Sequence, residues 1–411
     1  MNPRARRVRR PGTTLFAFAL LTLLAVGTTP WSLAAFTSSA TGSGSFTTDT
    51  LSPPTGLSAT GGAASINLAW TATARTWASG YHVYRATASG GPYSQIATVT
   101  PRTTVTYVDT PADGTYWYTV RAYYQGWESV DAGPVSASRD STAPTIGTSV
   151  ISKTTQFLPG AIRPSASFYV YANVTDTGTG ASGVATVTAD VSSIKAGSTA
   201  VALTSGSYSV GGVSYGWRSA ALTADAKPAG SYAYSIRAVD NNGNVATKST
   251  FSVVVDTTAP SASDVQTTNG GTAGRPDTGD TVIFTYSEQI DPESILAGWT
   301  GASTAVTVRI ANNASNDTLT VWNAANSAQL PLGSVATGGN YVTAATVFSG
   351  TMVQSGGTVT VTLGTQTSGT VRTNAAAGTM TWTPSATATD AAGNACSTTA
   401  RNETGASDID F

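Results

Sequence analysis

Only 10% of the residues are charged, so acid clusters and lone reactive side chains stand out. The single histidine, His82, has no second histidine with which to share a metal. No G-x-S-x-G elbow exists to give a Ser-His-Asp relay its nucleophile. Cys396, the single cysteine, lacks a basic neighbour in sequence and follows a turn, which makes it an inert small side chain. Glu288, Asp291 and Glu293 crowd three carboxylates into one short stretch. Glycoside hydrolysis needs two carboxyls about 5–9 Å apart across a cleft, and a loop at the end of a β-layer offers none, so these read as solvated loop acids. The glycine-rich run from Gly270 lacks the Gly-Lys-Ser/Thr ending of a phosphate loop. Asn-x-Ser/Thr occurs at Asn173, Asn313, Asn316 and Asn402, at a frequency a Thr-rich chain gives by chance. A catalytic constellation is not expected.

Two acid and amide sets remain. Asp140 opens DSTAP and Asp256 opens DTTAP, and downstream of each come D-x-x-G-N turns at Asp240 to Asn244 and Asp390 to Asn394. The elements that must position them can be read from an internal repeat. GTYWYTVRA from Gly114 and GSYAYSIRA from Gly230 agree at five of nine positions. In both, Tyr116, Tyr118, Val120 and Ala122, or Tyr232, Tyr234, Ile236 and Ala238, alternate with the period of a strand buried on one face. A Tyr just after a Gly turn suggests the tyrosine corner of immunoglobulin-like sandwiches, with the phenol bonded back to the main chain. Both copies are then F strands, the next-to-last strand of each sandwich.

Ahead of the first copy, Ile66, Leu68 and Trp70 alternate as strand B and GYHVYRA reads as strand C. PTGLSAT, INLAW, YHVYRA, GGPYSQIATV and TYVDT, in that order, resemble a bacterial fibronectin type III domain over 53–138. Proline-containing linkers then introduce alternating strands, Phe168, Val170, Ala172 and Val174 in one and Val282, Phe284 and Tyr286 in the other. With the D-x-x-G-N turns, these resemble bacterial immunoglobulin-like domains over 139–256 and 257–411. GDTVIFTYSEQIDPESI is similar to the immunoglobulin-like domains of surface-layer proteins. The third module departs from the pattern, with Trp382 and Pro384 where the second has Tyr232 and Tyr234, and proline would remove a ladder hydrogen bond there. The expected fold class is all-β, tandem immunoglobulin-like and fibronectin type III β-sandwiches after an N-terminal signal segment.

In such sandwiches the end of strand B and the F–G hairpin share the pole where the chain enters. Asp176, Asp240 and Asn244 are thereby expected beside Asp140, and Glu288, Asp390 and Asn394 beside Asp256. Oxygen-rich sets of this kind suit Ca²⁺, which takes 6–8 oxygen ligands. The alternative is that Asp and Asn cap a tight turn through their own backbone. A second candidate is the outer face of strands C and F. If Tyr116, Tyr118 and Val120 point inward, then His82, Tyr84, Trp117, Thr119, Arg121 and Tyr123 point outward as one aromatic and basic patch. That patch is either an interaction surface or cross-strand pairing that only stabilises the sheet.

The chain opens with Arg4, Arg6, Arg7, Arg9 and Arg10, then an apolar run from Leu15 to Val26 and the small residues Ser32 to Ala35. This order marks 1–35 as a signal peptide cut near Ala34 or Ala35, or as an uncleaved anchor, followed by an extended segment 36–52. Phe36-Thr37, Phe46-Thr47 and Leu51 resemble the signal region of camelysin and biofilm-fibre proteins. Without the leader arginines sixteen basic residues face 22 acidic ones, a net of −6, which argues against nucleic acid as a partner. One cysteine excludes an intramolecular disulfide. The expectation is a secreted or cell-surface, non-catalytic binding or structural protein with an extracellular protein or glycan as ligand. It touches membrane only through an uncleaved N-terminal segment. The alternative is an accessory carbohydrate-binding role in extracellular polysaccharide metabolism.

Overall fold

INLAWT lays down the first half of the first core: Ile66, Leu68 and Trp70 are buried and the residues between them exposed. In the computed structural model, which describes residues 49–153 and 157–411, hydrogen-bonded strand pairing stays within three groups. The signal segment and most of the extended segment 36–52 lie outside the described residues.

The first group comprises β1 (Thr55–Thr60), β2 (Ile66–Thr71), β3 (Gly80–Ala86), β4 (Ser94–Val99), β5 (Thr106–Asp109), β6 (Gly114–Tyr124), β7 (Trp127–Glu128) and β8 (Ala132–Arg139). Strands β1, β2 and β5 form one antiparallel sheet, and β4, β3, β6, β7 and β8 the other. This is the A-B-E against C′-C-F-G order of the sandwich. Trp70 meets Tyr81 edge to face at 5.2 Å within a core that includes Val83, Tyr118 and Val120. Tyr116, expected inside, is half-buried, and its hydroxyl donates to the Ala112 carbonyl at 3.1 Å.

The second group runs β9 (Thr145–Ser152), β10 (Ala161–Ile162), β11 (Ser167–Thr175), β12 (Val184–Asp190), β13 (Val201–Val210), β14 (Val213–Ser219), β15 (Leu222–Thr223), β16 (Gly230–Asp240) and β17 (Val245–Val255). The β13–β14 hairpin joins both layers into one continuous ladder, β10-β17-β16-β12-β13-β14-β11-β15, with β9 on β11. Phe168, Val170, Ala172 and Val174 face the core as their alternation requires. On the opposite face Tyr171 is also buried, under Val210 and Tyr215. The Tyr232 hydroxyl donates to the Pro228 carbonyl at 3.0 Å, so both repeat copies carry the same corner.

The third group contains β18 (Ala262–Thr268), β19 (Thr281–Tyr286), α1 (Pro292–Ile295), β20 (Thr304–Ala311), β21 (Thr318–Asn323), β22 (Ser334–Ala336), β23 (Val342–Ser355), β24 (Thr358–Val371), β25 (Thr381–Thr383) and β26 (Arg401–Asn402). They form one ladder, β18-β19-β24-β23-β20-β21-β22-β25-β26. Strand β25 stops one residue short of Pro384, as the missing N–H demands. Trp382 is fully buried between Phe284 and Tyr286, ring centroids 5.2 and 4.7 Å away, and its Nε1 donates to the Leu332 carbonyl at 2.7 Å. A buried indole needs that partner. The molecule is therefore all-β, a tandem array of β-sandwiches. Among the described residues no helix is long and apolar enough to cross a membrane.

Candidate functional site

The two acid sets assemble where the sandwich topology places them. Asp140, Asp176 and Asp240 bring ligand atoms within 4.8 Å of one another, and Asp256, Glu288 and Asp390 do the same. At the first joint the Asp240 carboxylate accepts from the main-chain N–H of Asn242 and Asn244 at 2.9 and 2.8 Å, closing the turn on itself. The Asn244 amide donates to Asp240 Oδ2 at 2.7 Å and to the Asp140 carbonyl at 2.8 Å. Asp140 accepts from Thr142 and Ser182 N–H, and Asp176 from Gly183 N–H. Burial alone would push the Asp140 carboxyl up, but the Thr142 and Ser182 donors outweigh it and hold it below the ordinary range.

The second joint repeats the scheme. Asp390 accepts from Gly393 and Asn394 N–H, and the Asn394 amide donates to Asp390 Oδ2 at 2.8 Å and to the Asp256 carbonyl at 3.2 Å. Asn244 and Asn394 were expected to offer oxygen to a cation. They present nitrogen instead, because that N–H meets a carboxylate and a linker carbonyl at once. The hydrogen bonds of the turn reading are thus present at Asp240, Asn244, Asp390 and Asn394, while the three carboxylates of each joint lie within ligand distance of one another. Glu288 differs from its counterpart Asp176. Its burial, then the charges of Asp390 and Asp256, push the carboxyl up to about 6.

The reading of Asp291 as a solvated loop acid is overturned, since it is 2% exposed. It caps α1 and accepts from the Phe157 N–H of the second group at 3.2 Å, with Lys153 Nζ 4.0 Å away. The Arg163 N–H reaches the Ala392 carbonyl at 3.1 Å beside it. Packing of the second module over the third removes this acid from water. Cys396 is buried at 3% exposure, and burial, then Glu288, push its thiol up to about 11.

Of the six residues expected on the patch, four come together. His82 stacks on Tyr123 at 4.2 Å, and the Arg121 guanidinium lies 4.6 Å over the Tyr84 ring. Trp117 stands apart, paired along the ladders with Ala86 and Ser136. Thr119, expected outside, is 2% exposed: the register shift between Tyr118 and Val120 falls on it and Tyr84 lies opposite. The patch is not a free basic surface. Glu128 accepts from His82, from the Tyr84 hydroxyl at 2.6 Å and from Arg121 at 2.9 Å, and Asp131 takes the Arg121 Nε at 2.7 Å. Burial alone would raise the Glu128 carboxyl, but the three donors dominate and lower it to about 2. Sequence reasoning missed Glu128 and Asp131, although two acids in WESVDAG are a local excess in so charge-poor a chain. What does stay exposed nearby is the β6–β7 tip, with Tyr124 and Trp127 at 38% and 64%, and Val130 after β7 at 74%.

No protein-family model matches the chain, and no curated protein matches it. Among solved structures it is similar to the FN1-FN3 domains of chicken CNTN1, with 9% identity and a TM-score of 0.27 over 77% of this chain and 100% of that one. It is also similar to dimeric latent PorU from Porphyromonas gingivalis, with 14% identity and a TM-score of 0.18 over 74% of this chain and 31% of that one. Likenesses this distant carry no argument, so the architecture rests on the strand pairing above.

Proposed function

We propose that this is a non-catalytic structural and binding protein of the cell exterior, whose sandwiches are held in fixed succession by their joints. The supporting observation is the repeated clamp, in which Asn244 and Asn394 each tie a turn of one module to the linker carbonyl that enters it. A clamped linker suits a protein that spaces or displays surfaces more than one whose modules act independently. The leader with its arginines and apolar run supplies the export part of the reading. The test is to express the whole chain in a bacterial host, then fractionate the cells and determine the N-terminus by mass spectrometry. Product outside the cytoplasm supports the reading. Product confined to the cytosol with its leader intact overturns it.

A second reading, a carbohydrate-binding accessory, is favoured by the exposed Tyr124 and Trp127 rings, which offer apolar faces to sugars. Co-sedimentation with chitin, cellulose or cell wall, weakened tenfold or more by Trp127→Ala, would support it. Absence of binding to all three polymers rejects it.

A further inference from the structure

A third acid set shares no residue with either joint. Glu403, Asp408 and Asp410 bring carboxylate oxygens within 4.8 Å of one another. Asp410 is 1% exposed, and its Oδ2 is buried with no hydrogen-bond partner. Its other oxygen accepts from the Thr267 hydroxyl at 2.9 Å, and Glu403 accepts from the Met380 N–H at 2.9 Å. Among the described residues no lysine, arginine or histidine forms an ion pair with any of the three. The position of Asp410 is fixed from both sides. Its own N–H donates to the Tyr341 hydroxyl at 3.0 Å, and the next residue, Phe411, packs edge to face on Tyr341 at 5.1 Å with 1% exposure. A buried carboxylate facing two others, with one oxygen unpaired, is costly unless something compensates it.

We propose that Glu403, Asp408 and Asp410 form a Ca²⁺ site that closes the segment 403–411 on itself, in the conformation that Tyr341, Thr267 and Met380 hold against the third module. Ca²⁺ bonds oxygen at 2.3–2.6 Å, so two oxygens on one ion lie at most about 5 Å apart, and the three carboxylates meet that limit. Asp408 is exposed, which leaves one side open for water ligands and for ion entry. Ca²⁺ is favoured over Mg²⁺ because an irregular set of three carboxylates lacks the near-ideal octahedron that Mg²⁺ demands. The competing solution is a proton. Burial, opposed by the Thr267 bond and reinforced by Glu403 and Asp408, pushes the Asp410 carboxyl up to about 7.

The experiment compares the full chain with Asp410→Asn, which mimics the protonated acid, in Ca²⁺ and in chelator at neutral pH. Thermal unfolding is recorded together with amide exchange of residues 403–411. In the unsubstituted chain, Ca²⁺ in hundredfold excess over Kd should raise the melting transition of the third module by roughly 5–10 °C. It should also slow exchange of 403–411 at least about tenfold. Both effects should vanish in Asp410→Asn and in Glu403→Gln. Absence of any Ca²⁺ effect in the unsubstituted chain overturns the proposal in favour of the proton. Ca²⁺ effects that persist in Asp410→Asn also overturn it, since they place the ion elsewhere.

Discussion

The side-chain amide of Asn244 donates to the main-chain carbonyl of Asp140, 104 positions earlier in the chain. It thus ties a module's final turn to the linker that enters the module. Removing the amide leaves the Asp140 carbonyl and Asp240 Oδ2 each short of a donor in a site that is largely buried. Asn244→Ala should cost about 1–3 kcal/mol and speed amide exchange at Thr142. Asn244→Asp should be worse, because it adds a carboxylate to a set of three. Chemical denaturation of the three chains, with exchange measured across 140–144, checks the order. Equal stability of Asn244→Ala and the unsubstituted chain would remove the clamp.

Glu128 holds the patch on the first module by accepting from His82, Tyr84 and Arg121. Its carboxyl is lowered to about 2 in the fold. A group depressed in this way stabilises above its ordinary pKa of about 4.3, and that contribution fades as the pH falls toward 2. The side chain is 27% exposed, so solvent screening keeps the gain small. Glu128→Gln should cost about 0.5–1.5 kcal/mol at pH 7 and flatten the acid limb of the stability profile. Urea unfolding at pH 2, 4 and 7 measures both.

The paired corners allow an internal comparison. The Tyr116 and Tyr232 hydroxyls each reach a carbonyl four residues back, at 3.1 and 3.0 Å. Tyr→Phe at either position removes one such bond and leaves the ring, and should cost about 0.5–1.5 kcal/mol. The loss should be confined to the first module for Tyr116→Phe and to the second for Tyr232→Phe. Module-resolved exchange distinguishes this from a general softening.

The corners and joint acids were legible because each follows from a local rule applied twice. Alternation of period two fixes which face of β6 and β16 is buried, and the sandwich pole then brings Asp140 to Asp240 and Asp256 to Asp390. The patch was only half legible. Its rings lie where alternation sends them, but Glu128 returns to them through a two-residue strand after a turn at Gln125, whose φ is +52°. No hydrophobic period announces such a turn, and the shift that buries Thr119 is equally silent in sequence. Asp291 was misread for a related reason. Sequence shows an acid before a proline, whereas its burial comes from residues 153 and 157 of another module. The long β23–β24 hairpin and the acids after Arg401 carry no repeat to compare with, so neither drew attention.

The buried Asp291 should make the contact between the second and third modules sensitive to pH. Burial is the main reason its carboxyl rises to about 6. Lys153 and the Phe157 and Glu293 N–H groups pull the other way, and the Glu293 charge adds to the rise. For an acid raised in the fold, the protonated form is the one the fold prefers. Its contribution is therefore full below the ordinary pKa near 3.9 and is lost as the pH climbs through about 6. The loss between pH 4 and pH 7 is at most roughly 3 kcal/mol. Glu288 also rises to about 6, so a slope in the unsubstituted chain does not isolate Asp291. Asp291→Asn does, because the amide oxygen still accepts from Phe157 and Glu293 but carries no charge. The difference in unfolding free energy between Asp291→Asn and the unsubstituted chain should favour the variant progressively as pH rises from 4 to 7. Exchange at Phe157 should slow in parallel, and a difference that does not change with pH would show that the Asp291 carboxyl does not titrate in this window.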